Sequence, residues 1–174
     1  MERTIATYHG LKMTAEEYIQ LPDDGHRYEL IEGVLYMVPS PLLIHQRVSL
    51  ELTLLLVDFV REHQLGWVYD APLDVHLGPE NVYQPDIIFV SEANAAILQD
   101  WVRGAPDLVV EILSPGTAQR DLGPKKKNYA RYGVKEYWVV DPYERHFEFY
   151  ILEKDAFVIA EPEGNLYRSS VVKG

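Results

Sequence analysis

The chain has 174 residues, 47% of them hydrophobic and 25% charged, and no cysteine. A chain of this size forms one domain that buries about 70% of its unfolded surface without disulfides or structural zinc, and the missing cysteines exclude thiol catalysis and thiolate metal sites. With 16 Lys and Arg against 27 Asp and Glu, a formal charge of −11, it is not a protein that coats nucleic acid by bulk charge, because neutralising phosphates needs a basic excess.

Thr14-Ala-Glu-Glu17 is a capping-box pattern that predicts a short helix to about residue 21, ended by Pro22-Asp-Asp-Gly25. Segments 28–31 and 34–38 flank Glu32-Gly33 and predict a hairpin with a two-residue turn. The longest helical pattern follows, about 43–63. Val48, Leu52, Leu55, Leu56 and Phe59 recur in it at three- and four-residue steps, predicting one broad buried face.

Beyond Gly66, residues 67–77 read as one strand. Segments 87–90 and 108–113 are nearly continuous apolar runs, the pattern of central strands covered on both faces. Between them Ser91 is placed to cap a helix over 92–98. Ser114-Pro-Gly-Thr117 leads to a helix over about 124–132, with Pro124 in its first turn and Gly133 at its stop. Strands at 137–140 and 146–152 complete the pattern, with an edge strand or two after them. The fold class is α/β (α+β): a mixed sheet flanked by helices, preceded by a helix and a hairpin. It is read as a single domain, 1–174, with a core of about 43–152 and an N-terminal extension, 1–42.

No apolar run reaches the roughly 18 residues of a membrane span, and the stretch from Met1 to His9 lacks the basic-then-apolar order of a signal peptide. A cytoplasmic location without membrane association is expected.

Chemistry centres on Glu111, which interrupts an otherwise buried apolar strand. A carboxylate there demands a partner. Asp86 stands at the mouth of the other central strand. If the two strands are neighbours at roughly 4.8 Å, the acids converge and repel unless a proton or a divalent cation neutralises them. Oxygen ligands without cysteine favour Mg2+ or Mn2+ over zinc. Asp107, four residues before Glu111 on the same strand, lies about 13 Å from it and is too far to share an ion. Residues 120–135 hold Arg120, Lys125, Lys126, Lys127, Arg131 and Lys135 against Asp121 alone, a net +5 that leaves −16 on the remainder. Asp121 and Lys125, and Lys125 and Tyr129, share helix faces at four-residue spacing, so Lys125 can reach the acid site and stabilise a developing anion.

Several motifs in order resemble a known family: Gln84-Pro-Asp-Ile-Ile-Phe-Val90, Gly104-Ala-Pro-Asp-Leu-Val-Val-Glu-Ile-Leu-Ser-Pro115, Arg120-Asp121, Lys125 to Tyr129, and Gly133-Val-Lys-Glu-Tyr-Trp-Val-Val-Asp-Pro142, with Tyr28-Glu-Leu-Ile-Glu-Gly33 and His45-Gln46 upstream. Over roughly residues 10–152 the chain is similar to the bacterial family of “putative restriction endonucleases” within the PD-(D/E)xK nuclease superfamily. The resemblance implies a restriction-endonuclease-like core and Mg2+-dependent cleavage of DNA, with Asp86 and Glu111 as catalytic metal ligands and the Ile112 backbone carbonyl completing the shell. Where the superfamily pattern has lysine two residues after the glutamate, this chain has Leu113, so the resemblance moves the catalytic lysine to Lys125 on the following helix, extended by Lys126 and Lys127. His45, Glu29 and Tyr129 are supporting candidates, with Glu32 an alternative acid. A homodimer is expected, because cutting both strands with one centre per chain favours two-fold assembly. Two rival readings remain: a catalytically inactive module of the same fold that binds nucleic acid or protein through the basic helix, and a metal-independent two-carboxylate glycosidase.

Overall fold

The computed structural model describes residues 7–173. Residues 1–6 and Gly174, which belong to the expected domain bounds, the N-terminal extension and the stretch read for a signal peptide, lie outside the described residues.

The capping box forms: the Thr14 side chain accepts the Glu17 amide while the Glu17 carboxylate accepts the Thr14 amide, starting α1 (Ala15–Ile19). Glu32 and Gly33 have φ of 51° and 76°, the positive pair of a turn whose twist matches a hairpin. They join β1 (Arg27–Ile31) antiparallel to β2 (Val34–Val38). Three two-residue strands, β4 (Val75–His76), β5 (Val82–Tyr83) and β7 (Val102–Arg103), extend the hairpin into a five-stranded sheet of order β2-β1-β5-β4-β7.

A six-stranded sheet carries the rest: β3 (Gly66–Asp70), β6 (Ile87–Ser91), β8 (Leu108–Ile112), β9 (Glu136–Asp141), β10 (His146–Glu153) and β11 (Ala156–Ile159), in the order β11-β10-β9-β8-β6-β3. At its centre β6 runs antiparallel to β8, and β8 runs parallel to β9. A parallel pair needs a crossover, here made by α3 (Ala118–Arg120), a π turn over Asp121–Lys125 and α4 (Lys126–Tyr132), closed by Gly133 in the left-handed conformation.

The continuous apolar runs are explained by burial on both faces. Ile87, Phe89, Leu108, Val110 and Ile112 pack against Leu56 and Val60 of α2 (Leu43–Glu62). Ile88, Val90, Val109 and Leu113 pack on the other side against Tyr129 and Tyr137, together with Ile31, Val75 and Tyr83 from the first sheet. Among the described residues no helix is long and apolar enough to cross a membrane.

Four sequence expectations need correction. The mixed architecture holds, but as two sheets, because the first hairpin pairs with β5 and not with the central strands. The strand expected over 67–77 is split into β3 and β4 around Pro72, which has no N–H to donate to a ladder. The helix expected over 92–98 is a 3-10 helix, Glu92–Ile97; Ser91 makes no side-chain cap, and its amide donates instead to the Asp107 carboxylate. In α2 the buried stripe is narrow. Leu55, expected inside, is 67% exposed, because adjacent residues 55 and 56 lie about 100° apart and only Leu56 faces the sheet.

Candidate active site

The β6–β8 ladder pairs Ile87 with Val110 and Ile88 with Val109. One step further along the same register, Asp86 stands opposite Glu111. Side chains alternate along a strand, so Asp86 shares a face with Ile88 and Val90, and Glu111 with Val109 and Leu113. The two acids therefore project from one face as cross-strand neighbours, whose Cβ atoms lie about 4.5–5.5 Å apart. Both line a cleft of about 570 Å3, whose rim includes Arg27, Arg47 and the Pro39-Ser40-Pro41 loop.

Each carboxylate is held by one oxygen. Asp86 Oδ2 accepts the Ile112 amide at 2.7 Å and faces His45 Nε2 at 3.2 Å. Glu111 Oε1 accepts the Tyr129 hydroxyl at 2.7 Å and pairs with Lys125 Nζ at 2.7 Å. The second oxygen of each is left to take a ligand. His45 sits in the first turn of α2, where the helix enters over the ends of β6 and β8. Its Nδ1 is buried without a partner.

Lys125 is the hub. It is 2% exposed, and its ammonium touches Glu29 Oε1 at 2.8 Å and Asp121 Oδ1 at 3.1 Å in addition to Glu111. The chain reaches this position through local distortion: Gly123 has φ −106° and ψ −105°, and Pro124 follows inside the turn. Glu29 is brought in by β1 and is fixed by the Gln84 amide at 2.8 Å, so the expected N-terminal extension forms one wall of the centre.

Four carboxylates and one lysine leave an excess of negative charge, and the proton affinities follow. Burial raises Glu111 well above the usual carboxylate range; the Lys125 ammonium opposes this, and Asp121, Asp86 and Glu29 add to it. Asp121 is likewise raised by burial, against Lys125. Burial alone pushes Lys125 down, but Glu111, Glu29 and the other anions around it outweigh burial and raise it. Lys125 is charged, and the acids share a surplus that one ammonium does not cancel. His45 is raised chiefly by its hydrogen bond to Asp86, with burial opposing and the Ile112 backbone adding to the rise.

The structure thus brings together Asp86, Glu111, Lys125, Ile112, His45, Glu29 and Tyr129. Tyr129 meets Glu111 directly. Glu32 stays outside, exposed, with its side chain accepting from Asn128 at 3.3 Å. Asp107 is at the other end of β8, where it binds Lys135 and the Ser91 amide. Asp121 is the member that sequence reasoning left out of the site; the signal was its position four residues before Lys125. Much of the basic window is engaged: Lys125 is consumed by the acids, Lys126 lies 3.4 Å over the Tyr150 ring, Arg120 covers Tyr36, and Lys135 holds Asp107, while Lys127 and Arg131, four residues apart on α4, are exposed.

The architecture, with an acid pair at the centre of the sheet and a lysine reaching in from the crossover, defines a restriction-endonuclease-like domain. The chain belongs to the Uma2 family, described as “Putative restriction endonuclease”, whose model matches residues 15–171. Among solved structures it is similar to “a putative nuclease belonging to DUF820 from Anabaena variabilis ATCC 29413”, with a TM-score of 0.76 and 22% identity over 92% of this chain and 91% of that one; at this identity the likeness speaks for the fold. A comparison with curated proteins finds no match.

Proposed function

We propose that the chain hydrolyses phosphodiester bonds of DNA with Mg2+ or Mn2+ held by Asp86 and Glu111, with the Ile112 backbone carbonyl completing the protein ligands. The observation that carries this reading is the cross-strand placement of Asp86 and Glu111 in one cleft, each with one oxygen engaged and one left. The donor set suits a hard cation. Among the described residues no three His, Cys, Asp or Glu side chains group to hold a metal, and two carboxylates plus a carbonyl leave several positions to water, the manner in which Mg2+ binds. When bound, the ion supplies Lewis acidity toward a phosphate oxygen and acidifies a bound water.

The chain's own groups do the remainder. The Ile112 amide and His45 orient Asp86, and Tyr129 orients Glu111. Lys125, 2.7 Å from Glu111, keeps a full positive charge at the place where negative charge grows during attack on phosphorus. Glu29 and Asp121 hold that ammonium in position. Arg27 and Arg47 on the rim offer contacts to neighbouring phosphates. One centre per chain calls for a homodimer when both strands are cut, and a cytoplasmic location accompanies a DNA substrate. The rival binding module, which needs that helix as its contact surface, is left with Lys127 and Arg131 as its exposed bases.

The test is plasmid cleavage by the purified chain. Nicking in Mg2+ or Mn2+ is expected, abolished by chelation and in Asp86→Ala, Glu111→Ala and Lys125→Ala. Cleavage that persists in Asp86→Ala, or that needs no metal, overturns the reading; DNA bound but uncut by the wild type and all three variants favours the binding module.

A further inference from the structure

Given the hydrolysis proposed above, on which this rests, we infer that the same cleft takes DNA whose bases are already unpaired, with Leu42 and Leu43 lying against the bases beside the scissile phosphate.

The start of α2 goes against local rules. A helix N-cap favours Ser, Thr, Asp or Asn, yet Leu42 stands there and no side chain caps the helix. Leu42 is 54% exposed, and Leu43, at 87%, is the most exposed large hydrophobic among the described residues. Neither belongs to a hydrophobic cluster of the interior. Residues that break a local rule and serve no packing are expected at functional positions. Both leucines line the cleft. Leu42 precedes His45 by three residues, so the two share a helix face about one turn apart, and His45 Nε2 is 3.2 Å from Asp86. The apolar step is therefore beside the acid pair.

The rest of the rim has the same character. Pro39, Pro41, Leu50 and Pro115 border the mouth, and Leu50 is 56% exposed. Apart from Lys125 and His45, the bases of the lining among the described residues are Arg27 and Arg47, and Arg47 is paired with Glu51 at 2.8 Å. Such a rim suits a duplex poorly. A duplex presents about one phosphate charge per 1.7 Å of axis to a chain of net charge −11, and it hides its base faces in the stack. An unpaired strand halves that charge density and offers base faces, which leucine and proline side chains can cover.

The test presents one oligonucleotide sequence as a matched duplex, as a duplex with a central unpaired bubble, and as a single strand. Affinity is read by fluorescence anisotropy in Ca2+, which takes the same oxygen ligands, and cleavage in Mg2+. Opening one base step costs about tenfold in an equilibrium constant, so the bubble and the single strand should bind at least about tenfold more tightly than the duplex and be cut faster. Leu43→Ala should lower affinity for the bubble about tenfold with the far-ultraviolet circular dichroism of the wild type, and Leu43→Met, which keeps the apolar surface, should restore it. A matched duplex bound and cut as well as the bubble overturns the inference and leaves the hydrolysis standing. Tighter binding of unpaired DNA with no cleavage in Mg2+ or Mn2+ overturns the hydrolysis and supports the binding preference. A Leu43→Ala chain that keeps the full preference but loses a dimer in sedimentation equilibrium assigns the rim to a second copy and overturns the inference.

Discussion

Replacing Lys125 by methionine keeps most of the side-chain volume and removes the ammonium from among three acids. Its contacts are at 2.7, 2.8 and 3.1 Å, and Lys125 is almost wholly buried, so solvent does little screening. Removing one partner from a buried ionic cluster costs about 3–5 kcal/mol, because the remaining charges stay buried without compensation. For a chain of this length that corresponds to a fall of roughly 6–20 °C in Tm. The loss should depend on pH in a definite direction. Glu111 and Asp121 are already raised by burial against the ammonium, and without it they rise further. Groups raised in the folded state stabilise it below their unfolded pKa of about 4 and withdraw that support as pH climbs through the folded value. The deficit of Lys125→Met relative to wild type, measured by urea unfolding, should therefore be largest at pH 8 and shrink toward pH 5. Mg2+ should raise the Tm of the variant more than that of the wild type, since a cation can take over the lost neutralisation. A variant within about 1 kcal/mol of wild type at pH 8, or a deficit that widens toward acid, would refute this reasoning.

Tyr129→Phe removes the hydroxyl that donates to Glu111 and should cost about 1–3 kcal/mol in denaturant unfolding, with kcat for DNA cleavage falling more than KM changes, since the hydroxyl orients a ligand and does not touch DNA; equal stability would show that Glu111 needs no fixing. Asp107 is pushed up by burial, but Lys135 and Ser91 overcome this and hold it below the usual range. Its stabilisation is present above about pH 4 and is lost as pH falls through the folded value, so the stability of Asp107→Asn should decline less on acidification than that of wild type, as read from Tm between pH 6 and 3. Gly66 has φ 143°, and a Cβ there would lie 2.1 Å from the Val90 carbonyl oxygen. Gly66→Ala should force β3 off β6 at a cost above about 3 kcal/mol, and an unchanged Tm would contradict the tight strand approach.

What the sequence disclosed, and what it hid, follows from the range of each signal. The central strands were legible because burial on both faces leaves a continuous apolar run, and Glu111 stood out by breaking one. The pairing of Asp86 with Glu111 at one rung of the ladder was only an expectation, since register between strands 25 residues apart depends on hydrogen bonds that no local pattern encodes. β4, β5 and β7 are two residues long and carry no period at all, so the second sheet was missed. In α2 both stripes are apolar, and periodicity alone does not say which one meets the protein. The basic window offers fewer free charges than its count suggests for a similar reason: counting does not reveal that Lys125 turns inward, Lys126 lies on Tyr150 and Lys135 reaches Asp107. Asp121 was visible as a helix partner of Lys125, but only burial makes it part of the centre.

The proposal that two acids on neighbouring strands share a divalent ion is tested most directly by a crystal structure of the chain soaked in Mn2+. The account predicts an anomalous peak within about 2.0–2.3 Å of one oxygen each from Asp86 and Glu111, with Lys125 still beside Glu111. A peak bound elsewhere, or an ion that touches only one of these carboxylates, contradicts it.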